Sequence, residues 1–195
     1  MSDRRRDPEG VRARALEAAI EEFAERGFET GSLRAIARRA GLSQPLISYH
    51  FGSKEELWKE VKREVVRRAN ERLLLEIKRA KGEDPVLSLM RAFFDFAEAE
   101  PLARRIGMWA ELAGDTDFEG EAALLRWVVG LVERAQAAGI LRDDIPAEHL
   151  IWIFRSAVYD WLNNRARICE VFGWDPTRPD LDEHFLASMR RMGSK

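Results

Sequence analysis

Gln44, Tyr49, His50 and Lys54 lie within eleven positions of one another and offer an amide, a phenol, an imidazole and an ammonium. An amide can pair bidentately with the edge of adenine, whereas the other three suit phosphate oxygens. Leu46 between them is suited to apolar contact with a thymine methyl. Ser32, Arg34, Ser43, Pro45 and Ser48 complete a set of small, polar and basic residues in the same stretch. No acidic residue occurs between Glu29 and Glu55, while Arg34, Arg38, Arg39 and Lys54 are all present. A face without carboxylates approaches phosphates free of like-charge repulsion, and affinity for DNA is largely counterion release by such cations. The chemistry offered is that of duplex DNA binding.

Side chains with this task need a rigid mount, and Ser32 to Glu56, SLRAIARRAGLSQPLISYHFGSKEE, supplies the outline of one. Leu33, Ile36, Ala37 and Ala40 recur at helical spacing, so the first helix has one apolar side. Gly41 can adopt a positive φ and end it sharply. Ser43 is placed to cap the next helix, and Pro45 is tolerated in its first turn. Ile47 and Phe51, four apart, anchor this short helix. Pro45, Leu46 and Tyr49 then point away, with Gln44, Ser48 and His50 on the flanks. Ser53 followed by Glu56 forms a capping box that opens a third helix. Helix, glycine turn and short exposed helix make a helix-turn-helix.

Residues from about Val11 to Val61 resemble the DNA-binding domain of the TetR family of transcriptional regulators. The segments that carry the resemblance are ALEAAIEEFAERGFE, SLRAIARRAGLS, SYHF and SKEEL. The match covers a little over a quarter of the chain, in the family's order and spacing. The resemblance implies a homodimeric, ligand-responsive transcription factor, usually a repressor. It also implies that Gln44–His50 is the recognition helix and Lys54 the phosphate-binding lysine. Leu46 and Ser48 depart from the common pattern, where a small or polar residue and a tyrosine are frequent.

The 195 residues suffice for one large domain or two small ones with a real core. A net charge of −2 excludes a protein basic all over, so contact with nucleic acid must be local. Residues 1–54 carry 10 Lys and Arg against 8 Asp and Glu, and the remainder 22 against 26. A single cysteine, Cys169, excludes an intrachain disulfide framework and fits a reducing cytoplasm. MSDRRRDPEG lacks the apolar core of a signal peptide, and no uncharged apolar run approaches the ~20 residues of a membrane span. The reading is a cytoplasmic protein without a membrane segment.

Helical periodicity continues along the whole chain. An amphipathic helix from about Glu9 to Arg26 carries Val11, Ala15, Ala19 and Phe23 on one face and stops at Gly27. The Ser53-capped helix runs to about Ala80, with apolar points at Leu57, Val61, Val65, Leu73 and Ile77, and KGED breaks it. Asp84 and Pro85 start another. Pro101 opens the next, GDTDFEG is a turn, and a helix then runs to its stop at Gly139. Pro146 starts a helix to about Val171, and Leu181 to Met192 closes the chain. The fold class is therefore all-α: an N-terminal three-helix helix-turn-helix domain plus a C-terminal six-helix ligand-binding and dimerisation bundle. The domains are expected at 9–54, with the motif about 32–51, and at 55–195, linked by the helix 53–80.

All six tryptophans and most phenylalanines follow residue 54. Aromatics at helical spacing bury area first of all, but a bundle also places small-molecule cavities between its helices. Phe93, Met108, Trp109, Trp127 and Tyr159 are the candidate lining, with Arg104, Arg105, Asn163 and Asn164 as possible polar ends. That composition favours a hydrophobic or aromatic effector. The Ala147 helix has an unbroken Leu150–Phe154 run and is apolar on too many sides for a surface helix. Together with the closing helix it is the expected dimer interface, through Trp152, Trp161, Phe185 and Met189. His50, His149 and His184 include no pair with zinc-ligand spacing, and no glycine-rich phosphate loop follows a strand. Neither a metal, a cofactor nor a catalytic constellation is expected. The function implied is a repressor released from a palindromic operator by a small apolar ligand. The alternative is a helical DNA-binding protein that answers to a protein partner and has no small-molecule pocket.

Overall fold

The computed structural model describes residues 7–79, 84–115, 117 and 121–195. Ala80, most of the expected KGED break, the side chain of Ile77 and much of the expected GDTDFEG turn lie outside the described residues. Nine helices are present among those described: α1 Pro8–Thr30, α2 Leu33–Ala40, α3 Gln44–Phe51, α4 Lys54–Arg79, α5 Pro85–Ala99, α6 Pro101–Leu112, α7 Glu121–Ala137, α8 Ala147–Phe172 and α9 Leu181–Gly193. The chain is all-α, with one isolated antiparallel bridge between Leu141 and Ser194.

Local sequence sets most of the helix ends. Asp7 accepts the Gly10 N–H at 3.0 Å and starts α1, with Pro8 in its first turn. Ser32 accepts the Ala35 N–H at 3.2 Å and caps α2. Ser53 accepts the Glu56 N–H at 3.2 Å, which is half of the expected capping box, while the Glu56 carboxylate pairs with Lys59 instead. Asp84 Oδ1 accepts the Val86 N–H at 2.9 Å, so the helix start at Asp84 and Pro85 is as expected. The reading of Ser43 needs correction. Ser43 is the N-cap residue of α3, but its side chain makes no capping bond; its carbonyl accepts the Leu46 and Ile47 N–H groups.

The chain divides into two compact units, Met1–Arg68 with Glu100–Gly120, and Ala69–Ala99 with Glu121–Lys195. The helix α6 thus groups with α1–α3 and the first half of α4, whereas sequence placed it in the second domain. Ala15, Ala19, Phe23, Ile36, Ile47, Leu57, Val61, Ile106 and Ala110 form the fully buried core of the first unit. Trp58 meets Phe23 edge-on at 5.3 Å in the same core. Each large side chain so buried contributes roughly 1.5–3 kcal/mol. In the second unit, Phe94, Ala97, Val158, Trp161, Cys169, Leu181 and Leu186 pack together, and Val132, Ala135, Leu141 and Ala147 form a second cluster. Asp84 also binds Arg190 at 2.8 Å and so ties the start of α5 to α9.

Candidate nucleic-acid interface

The short helix α3 is held by two side chains. Ile47 is fully buried, Phe51 is nearly so, and the Arg12 guanidinium lies 5.1 Å over the Phe51 ring. The rest of α3 faces outward as its periodicity predicts. Gln44, Pro45 and Tyr49 are exposed, Tyr49 at 83 %, and Leu46, Ser48 and His50 are half-buried. Tyr49 and His50 meet edge-to-face at 5.4 Å, which stiffens the polar end of the helix.

Gly41 takes φ 65° and ψ 35° and closes α2. Its N–H donates to Arg38 O, and the Leu42 N–H donates to Ala37 O at 2.9 Å. This is the pattern of a Schellman turn, which makes α2 and α3 one stiff piece.

The cations of the acid-free window divide by partner. Arg34 and Arg38 are exposed, and no acidic partner occurs for them among the described residues. Lys54 donates to the Glu29 carbonyl at 3.1 Å and lies 4.6 Å from the Phe28 ring centre, so its ammonium is held at the start of α4. Arg39 is different: it binds Glu21, Glu22 and Glu25 of α1. Sequence distance hid this, because the three carboxylates lie upstream of the acid-free window.

The far end of α1 reveals the role of α6. Gly27 breaks the helix with φ 72° and ψ 177°. Beyond such a break the Ala24 carbonyl needs donors from elsewhere. It receives Arg105 Nε at 2.8 Å and Trp109 Nε1 at 3.1 Å. The Trp109 ring lies where a side chain on Gly27 would start, 2.8 Å from an ideal Cβ. Trp109, read from sequence as lining a ligand cavity, therefore caps α1, because its indole N–H has a backbone partner there. A second tie joins α4 to the end of α6: Lys62 Nζ binds both Asp115 oxygens, at 2.6 and 2.8 Å, and Trp58 Nε1 donates to Oδ2 at 2.7 Å.

Two family models match the chain: "Bacterial regulatory proteins, tetR family" over residues 15–61, and "Tetracyclin repressor-like, C-terminal domain" over residues 88–191. The chain belongs to the TetR family. Among its relatives is the HTH-type transcriptional repressor SCO4008 of Streptomyces coelicolor, 29 % identical over 80 % of each chain. Another is the HTH-type transcriptional repressor NicS of Pseudomonas putida, 28 % identical over 90 % of this chain and 84 % of that one. The fold is that of the crystallised transcriptional regulator SCO4942 from Streptomyces coelicolor, with a TM-score of 0.73 and 21 % identity over 94 % of this chain and 98 % of that one. This TetR-family chain is a DNA-binding transcriptional regulator, and no described helix is long and apolar enough to cross a membrane.

The second unit of this TetR-family protein distributes the remaining candidates unevenly. Phe93 and Tyr159 stack at 5.7 Å, with Phe154 against Phe93 at 6.0 Å. Trp127 is exposed on α7, and Met108 is exposed on α6 in the other unit. None of the five residues expected to line a cavity borders the described cleft between α5 and α7. That cleft, about 180 Å³, is lined by Pro85, Val86, Leu89, Leu131, Val132, Arg134, Ala135 and Ile140. Among the four expected interface residues, Trp161 needs correction. It is buried in its own unit, stacked on Phe185 at 4.8 Å, and donates to Asp182 at 2.7 Å. Phe185 is half-buried in the same contact, Met189 is half-buried, and Trp152 is half-exposed beside an equally exposed Ile153.

Proposed function

We propose that the protein is a repressor that docks α3 in the major groove of a palindromic operator, one helix per half-site. The exposed face of α3, set in a stretch from Thr30 to Lys54 that holds Arg34, Arg38 and Lys54 and no acidic residue, carries this reading. Gln44 reads a base edge, Leu46 contacts a thymine methyl, and Tyr49, His50 and Lys54 meet phosphates, with Ser32, Arg34, Ser43, Pro45 and Ser48 bordering the backbone. A second copy covers Trp152 and Met189, with Ile153, and its two-fold axis matches the inverted half-sites. Selection from random duplexes should return an inverted repeat, and sedimentation without DNA should give a dimer. Lys54→Ala should weaken binding to every sequence and reduce the salt slope by about one unit per subunit. Gln44→Ala should relax one position at a cost of ~1–3 kcal/mol. Binding without sequence preference would defeat the reading.

The effector that fits is small and largely apolar, because seven of the eight residues around the α5–α7 cleft are apolar. Arg134 at its edge suits a polar or anionic end. A compound that raises the melting temperature by binding there should weaken operator binding, and the operator should weaken the compound by the same factor. Tight binding that leaves operator affinity unchanged would remove the small-molecule switch.

A further inference from the structure

Glu22 is 1 % exposed, on a face of α1 where Ala18, Ala19 and Phe23 are all core. A carboxylate so placed is tolerated only with a charged partner. Its partners are Arg39 Nε at 3.2 Å and, more distantly, Arg26 Nε at 3.7 Å. The Arg39 fork is filled further: Nη1 donates to Glu25 at 3.1 Å and to Glu21 at 3.4 Å, and Nη2 also donates to Glu25. The bond from Arg39 holds the Glu25 carboxyl below its ordinary range.

Arg39 lies two residues before Gly41, in the last turn of α2. The Schellman turn that follows makes the orientation of α3 depend on that of α2. We infer that Arg39 is a positioning residue of the DNA reader: its guanidinium, clamped by Glu22, Glu21 and Glu25, sets how α2 and α3 stand on α1 and touches no phosphate. Three carboxylates around one guanidinium leave the spot net negative, which repels a phosphate. Base edges tolerate little misorientation of α3, whereas phosphate attraction is long-ranged and forgiving. The clamp should therefore govern sequence discrimination more than bulk affinity. This rests on α3 being the recognition helix.

The test uses the full-length chain, a duplex that the unaltered protein selects from a random pool, and mixed-sequence DNA as the non-specific probe. Arg39→Gln strands the buried Glu22 and can unfold the unit, so the deciding variant is Glu22→Leu with Arg39→Gln. Replacing the buried carboxylate by an apolar side chain while its cation is neutralised leaves no stranded charge and commonly keeps the fold. The double variant should melt near the parent temperature and lose on the order of tenfold in affinity for the selected duplex. It should keep its affinity for mixed-sequence DNA and its salt slope. A slope lower by about one unit per subunit would show that Arg39 meets a phosphate, and would overturn the inference. Parent-like binding of the selected duplex would reduce the clamp to a stability feature and also overturn it. Failure of the unaltered protein to select any duplex would instead remove the recognition-helix reading, and the inference with it.

Discussion

Gly27→Ala should destabilise the protein by about 3–5 kcal/mol, against roughly 1 kcal/mol for Gly41→Ala, although both glycines have positive φ. Gly27, at φ 72° and ψ 177°, occupies a region that is nearly glycine-only, and a methyl group there costs about 1–3 kcal/mol in the backbone alone. The new Cβ would also stand 2.8 Å from two Trp109 ring atoms. An indole wedged between α1 and α6 and bonded to Ala24 O cannot swing aside, so overpacking adds about 1–3 kcal/mol more. Gly41 at φ 65° and ψ 35° is ordinary left-handed helix with nothing within 4 Å of an added Cβ. Thermal melting should separate the two variants by roughly 5–15 °C. Placing Gly27→Ala in a Trp109→Ala background should recover the steric part and leave the backbone part. If the two glycine variants melt together, the Trp109 contact does not confine Gly27.

The helix boundaries were legible because their causes are local. Ser53 and Asp84 cap the helices expected of them, Asp7 and Ser32 cap two others, and Gly41 and Gly173 end theirs in the left-handed conformation. The outward face of α3 was legible for the same reason, since the burial of Ile47 and Phe51 dictates where Tyr49 points. What sequence could not show was pairing across distance. Trp109 and Arg105 meet Ala24 from more than 80 positions away, and nothing in their neighbourhood marks them as caps. Composition alone placed Trp109 in a ligand cavity.

Arg39 was a nearer miss. A window free of acids along the chain is not free of them in space, and Glu21, Glu22 and Glu25 lie at spacings of one and four on α1. The signal available was the Glu22 position itself, next to Phe23 on an apolar face, where a carboxylate needs a cation. Trp161 failed for another reason. A helix that is apolar on several sides must be covered, but periodicity does not say which side is covered by its own chain. Phe185 and Leu186 of α9 cover the Trp161 side, whereas Trp152 and Ile153 stay half-exposed.

Asp115→Ala should cost about 3–5 kcal/mol, and Lys62→Met far less, because the two members of the pair are unequally buried. The Lys62 side chain is 4 % exposed and that of Asp115 28 %. Removing the carboxylate takes from a buried ammonium both of its bonds to Asp115, whereas removing the ammonium leaves a carboxylate that water reaches and that Trp58 still serves. The pH response should differ as well. Burial pushes the Asp115 carboxyl up, but the bonds from Lys62 and Trp58 outweigh it, and its value lies below the ordinary one of 3.8. A depressed carboxylate contributes stability that is present above its unfolded value and lost as pH falls through its folded value. The parent should therefore lose this contribution only below about pH 4. Asp115→Ala should lack this acid-side loss, because the carboxylate that carries it is gone. Denaturant midpoints measured from about pH 2 to about pH 7 decide the matter, since parallel profiles for the parent and Asp115→Ala would mean that the Asp115 carboxylate adds nothing to the acid response.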